Sequence, residues 1–149
     1  MKHGLLRARL VVWWLLLLIL LTALLAAWRA VWVDTAQTAI DITRLRMIER
    51  ANLYKQQWLL QGRPNRLPIE QDQIVIQHGW VFPKREQTVD CEAVLSLLYP
   101  QRTLLNQWPR VTGIDLADGY RCHYQYGERE YIEVELNGRH FAVDIKLLM

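Results

Sequence analysis

Two cysteines, four histidines and one pair of closely spaced glutamates are the residues of this chain that could do chemistry. His3, His78, His123 and His140 are scattered, with no i, i+4 pair and no Cys-x-x-Cys partner, so their spacing builds no metal site. Glu133 and Glu135 share one face of an alternating segment and in principle offer an acid and a base. Arg121, Arg139 and Lys146 lie in neighbouring alternating segments, so a solvated face of cross-strand ion pairs is the expected arrangement. Cys122 and His123 are adjacent, and adjacent strand residues point to opposite faces, which rules out a nucleophile pair. There is neither a glycine-rich phosphate loop nor a Gly-x-Ser-x-Gly elbow. The expectation is a non-enzyme with no catalytic residues, no metal ligands, no cofactor and no small-molecule substrate.

The cysteines have a simpler reading. Cys91 and Cys122, 31 positions apart, form an even pair inside a C-terminal region of about 80 residues, a size at which one apolar core gives marginal stability. In an oxidising compartment they form a disulfide that stabilises the domain by roughly 3–4 kcal/mol in the chain-entropy model. The net charge of +3, from 18 basic and 15 acidic side chains dispersed along the chain, indicates no nucleic-acid partner.

The compartment follows from the N-terminus. Leu10 to Trp28 is a run of 19 residues without a charge, interrupted only by the hydroxyl of Thr22. As a helix it spans about 29 Å, the thickness of a hydrocarbon core. Leu10, Trp13 and Trp14 near its start and Trp28 and Trp32 near its finish are the expected membrane anchors, since indole rings settle in the headgroup region. Lys2, Arg7 and Arg9 precede the run, which favours a cytoplasmic N-terminus and a C-terminal domain outside. A cleaved signal peptide is the competing reading, but its apolar region is usually shorter, and Ala26, Ala27 and Ala30 form no clean cleavage site. The expected organisation is a tail (1–9), a transmembrane helix (10–33), a helical stalk (34–62) and a disulfide-stapled α+β domain (69–149).

No proline or glycine occurs between Leu5 and Gln61, so the helix is expected to run on past the span until Gly62 and Pro64 stop it. Val33, Ala36, Ile40, Met47, Ala51, Tyr54 and Trp58 form one stripe at helical spacing. That stripe either packs on the protein's own domain or forms an interaction face for a partner helix. After a connector ending near Pro68, Ile74–Ile76 and Trp80–Phe82 read as two short strands or one bent strand. Asp90 then caps a short helix limited by Pro100. A second connector containing Pro109 and Gly113 leads to three alternating segments with Tyr120, Cys122, Tyr124 and Tyr126, then Ile132, Val134 and Leu136, then Phe141, Val143 and Ile145 on their inner faces. With a turn at Asn137-Gly138, they predict a three-stranded antiparallel meander.

A basic tail, an apolar span, a continuing helix and a small stapled sheet together resemble type IV pilins and pseudopilins. Met1-Lys2-His3-Gly4 is similar to a very short prepilin leader. Arg9 departs from that pattern, because the family carries a glutamate five residues after the glycine, and this implies a fixed part of the machine rather than a filament subunit. Arg50-Ala51-Asn52-Leu53-Tyr54-Lys55-Gln56-Gln57-Trp58-Leu59-Leu60, Gly79-Trp80-Val81, Val89-Asp90-Cys91, Leu97-Leu98-Tyr99-Pro100-Gln101-Arg102 and Gly119 to Gly127 resemble the F-component family of the mannose-sensitive haemagglutinin (MSHA) pilus biogenesis set. The resemblance implies a pilin-like fold and a single-pass bacterial inner-membrane protein with a periplasmic domain. Its expected partners are the lipid bilayer and other pilus-assembly proteins or pilins. The alternatives are a minor pseudopilin that enters a pilus or secretion pseudopilus, and a membrane-tethered periplasmic ligand-binding domain.

Overall fold

A computed structural model of the chain describes residues 2–128 and 130–148, without the side chains of 2–8 and 30–36. The expected roles of Trp32, Val33 and Ala36, and the side chains of Lys2, His3 and Arg7, therefore lie outside the described residues. Two compact units divide the chain, Met1–Thr38 and Ala39–Met149. Helix α1 runs Lys2–Leu60. In the first unit, Arg9–Arg29 is long and apolar enough to cross a membrane, and none of it is buried by the protein. The Thr22 hydroxyl donates to the Ile19 carbonyl at 2.9 Å, so the one polar side chain of the apolar run is satisfied within its own helix, as lipid would require.

In the second unit α1 supplies one wall of the core. Met47, Ala51 and Tyr54 are buried, and Ile40 and Trp58 are partly buried against the same cluster. The helix ends as its sequence predicts: Gly62 (φ 81°) and Arg63 (φ 62°) turn left-handed, and the Arg63 amide donates back to the Trp58 carbonyl at 2.9 Å. Strand β1 (Arg66–Ile69) follows and pairs antiparallel with β2 (Asp72–Gln77), which pairs with β3 (Trp80–Val81). The expected connector up to Pro68 is thus a strand in its own right. It tolerates Pro68 because β1 is an edge strand, where a missing N–H breaks no inner ladder. His78 (φ 51°) and Gly79 (φ 90°) make the tight turn between β2 and β3. A further hairpin, β4 (Lys84–Arg85) and β5 (Thr88–Val89), turns through Glu86 (φ 50°) and Gln87 (φ 77°); without glycine or asparagine at its corner, its sequence carries no turn signal.

Asp90 caps helix α2 (Cys91–Leu98), its carboxylate accepting from the Ala93 amide at 3.0 Å. The chain then forms an antiparallel sheet of four strands rather than three, in the order β6 (Arg110–Leu116), β7 (Gly119–Gln125), β8 (Glu130–Asn137) and β9 (His140–Leu147). The additional strand occupies the expected Pro109–Gly113 connector. It escapes the period-two pattern because it is an edge strand with most residues exposed. Its glycine has a packing cause: Gly113 pairs with Cys122, and a Cβ there would stand 2.6 Å from the Cys91 sulfur. The last hairpin turns one residue later than Asn137-Gly138 suggests, because Asn137 still pairs with His140 and leaves Gly138 and Arg139 at the corner.

The inner sheet face carries Tyr120, Cys122, Tyr124, Ile132, Val134, Leu136 and Val143, all buried in one cluster with Val94, Leu95 and Leu98 of α2 and the inward residues of α1. The whole is an α+β unit in which the two helices and the small sheets share one core.

Candidate functional site

The expected disulfide is present. Cys91 at the start of α2 and Cys122 in the middle of β7 are bonded across a Cα separation of 5.6 Å, tying helix to sheet. Three tyrosines of the same inner face hold the elements packed against it through their hydroxyls. Tyr120 donates to the Val81 carbonyl at 3.0 Å, Tyr124 to that of Cys91 at 2.8 Å, and Tyr126 to that of Arg102 at 2.9 Å. Burial disfavours the phenolate in each case and raises all three pKa values above the ordinary tyrosine range. No buried side-chain nitrogen or oxygen among the described residues lacks a hydrogen-bond partner.

The glutamate pair lies on the outer sheet face and is engaged by basic side chains and an imidazole. Glu135 takes Arg121 at 2.8 Å; Glu133 takes His123 at 2.9 Å, Arg121 at 3.9 Å and Lys146 at 4.0 Å. The bond to Glu135 raises the Arg121 pKa, with further support from Glu133 and opposition from desolvation. The His123 ring also lies 4.8 Å from that of Tyr131. Arg139 takes no part in this network among the described residues; it sits in the turn, where its carbonyl accepts from the Trp80 indole. His78 and His140 are exposed at separate turns. Among the described residues no three metal-ligating side chains gather. What this face does chemically is neutralise its own charges.

The expected interaction stripe is turned into the protein's own core over Ile40, Met47, Ala51, Tyr54 and Trp58. Tyr54 donates to the Leu97 carbonyl at 3.1 Å, and the Trp58 indole to the Pro64 carbonyl at 2.8 Å. A different apolar set on α1 faces outward: Ile42, Leu45, Leu53 and Leu60 are 44, 59, 58 and 88 % exposed. These residues follow a helical spacing of three, eight and seven. Sequence reasoning passed over them because Glu49 and Gln56 interrupt the row. Beside them, a groove of about 810 Å³ opens between the Leu45–Gln56 stretch of α1 and the end of α2, where Leu98, Tyr99, Pro100 and Gln101 line it. The loop that follows exposes Leu105 (47 %) and Trp108 (70 %). Leu105 stands at φ 49°, a left-handed conformation that a leucine adopts at a cost of about 1–2 kcal/mol.

Leu10, Trp13, Trp14 and Trp28, the described anchors, are all exposed on the apolar helix, where a bilayer would cover them. The described surface therefore offers apolar faces and a shallow groove for association. Comparison with protein-family models, with curated proteins and with solved structures found no match to this chain.

Proposed function

We propose that this chain is a non-enzymatic, single-pass inner-membrane component of type IV pilus biogenesis of the MSHA kind, corresponding to its F component, with a pilin-like domain in the periplasm. It works by contact. The apolar helix holds it in the bilayer, and the second unit presents a surface to pilus-assembly proteins or pilins. The observation that carries this reading is the outward apolar row of α1, Ile42, Leu45, Leu53 and Leu60, beside a groove on a helix whose opposite face is already packed. Exposed leucines in a row beside a groove mark an association surface more often than a catalytic one. The sequence stretches that resemble the MSHA F-component family, Arg50–Leu60 among them, supply the choice of machine.

Affinity purification of the tagged full-length chain from its own bacterium is expected to recover pilus platform proteins or pilins, and a deletion strain is expected to show reduced surface pili by electron microscopy. Normal piliation together with no pilus protein recovered overturns the reading.

A further inference from the structure

The groove beside α1 has a character that narrows its occupant. Leu45 and Leu53 line it from α1, and Leu98, Tyr99 and Pro100 line it from the other side. The helical wall from Leu45 to Gln56 is about 17 Å long, close to three turns of a second helix lying alongside. An extended peptide would gain no main-chain bonds against α1, whose backbone groups are spent within its own helix, whereas a helix arrives with its backbone already satisfied. Its charges are unbalanced. Arg46 makes no ion pair among the described residues, and Arg50 donates only to the Tyr54 hydroxyl at 3.3 Å, against the single acid Glu49. A second copy would bring the same excess of arginine to this row, whereas an acidic partner would balance it.

We propose that this groove holds an amphipathic helix of a partner protein, its apolar stripe on Leu45, Leu53 and Pro100 and an acidic flank on Arg46 and Arg50. This rests on the contact role proposed above and specifies the partner's chemistry.

The test uses the full chain in zwitterionic lipid nanodiscs and two labelled 18-residue helical peptides with the same leucine stripe, one flanked by glutamates and one by lysines. Fluorescence anisotropy, with empty nanodiscs subtracted, is expected to show saturable binding of the glutamate peptide, roughly fivefold or more tighter than the lysine peptide, the sum of two modest exposed ion pairs. The variant Arg46→Glu/Arg50→Glu is expected to invert that preference, and Leu53→Glu to abolish binding of both. All three changes fall on exposed or half-exposed positions, and an unchanged circular dichroism spectrum confirms folding. Equal affinity for both peptides, or indifference to the variants, overturns the proposal. So does a photo-crosslink from position 53 in cells whose product has twice the chain mass, since the occupant is then a second copy. Recovery of pilus proteins by a chain that ignores the acidic peptide leaves the assembly role standing and removes only this groove.

Discussion

The Nε of Arg44 on α1 donates to the Val143 carbonyl of β9 at 2.7 Å, and its guanidinium reaches the Asp144 carboxylate at 3.5 Å. One side chain from the helix thereby occupies part of the outer edge of the last strand, an edge that would otherwise offer a free acceptor to a passing chain. Arg44→Ala is expected to cost about 1 kcal/mol once solvent screening of the half-exposed Asp144 pair is discounted, visible as a fall of several degrees in Tm. Arg44→Lys should recover only part of this, because a single ammonium cannot serve both acceptors in the same geometry. Equal melting of all three proteins would show that the contact contributes nothing.

Reduction of the disulfide should be the larger insult. Removing the Cys91–Cys122 bond by Cys91→Ala/Cys122→Ala is expected to destabilise the second unit by roughly 3–4 kcal/mol on the loop-entropy scale. Urea unfolding of the two proteins, followed by circular dichroism, reads the difference, and intact mass before and after reduction verifies the bond in the native chain.

Gly113 should be intolerant of a methyl group for one reason only, the sulfur beside it. Gly113→Ala is expected to cost roughly 1–3 kcal/mol by overpacking. In a Cys91→Ala background the same change should cost distinctly less, because the atom 2.6 Å from the new Cβ has gone. Additive effects in this double-mutant cycle would assign the glycine to backbone conformation instead.

High pH should unfold the second unit in step with its tyrosines. Tyr120, Tyr124 and Tyr126 have pKa values raised chiefly by burial, so the unfolded chain releases these protons near the ordinary value of about 10 while the folded chain keeps them. Their contribution is complete below about pH 10 and is lost as pH climbs from there through the folded values. Absorbance at 295 nm should show Tyr120, Tyr124 and Tyr126 ionising only as far-ultraviolet ellipticity is lost. Smooth titration of these three with ellipticity unchanged would contradict the packing described above.

Particular elements explain which parts of the fold were legible in the sequence. The apolar run from Leu10, the stop at Gly62, the Asp90 cap and the alternation through Tyr120–Tyr126, Ile132–Leu136 and Phe141–Ile145 are local signals, and the structure follows them. Strands β1 and β6 were hidden by Pro68 and Gly113, residues that usually interrupt strands. Their presence here depends on an edge position and on a sulfur contributed from elsewhere, neither of which is local information. The Glu86-Gln87 hairpin gives no residue-type cue at all. The candidate site was half legible. A stripe on α1 could be read, but which of two apolar rows the sheet would cover depends on how β9 and α2 come to rest, and the more regular row is the one buried.

The bond from Arg44 to Val143 also bears on how the chain is made. A ribosome delivers Met47, Ala51 and Tyr54 long before the strands that share their core, and the partner of Arg44 follows it by 99 residues. Contacts of such sequence separation close slowly. During synthesis the nascent chain must therefore carry an uncovered greasy flank on α1 until α2 and the strands that share its core arrive. A change that dislodged β9 would take Val143 out of that core and remove the acceptor of Arg44, turning the loss of one strand into a substrate for chaperones and proteases.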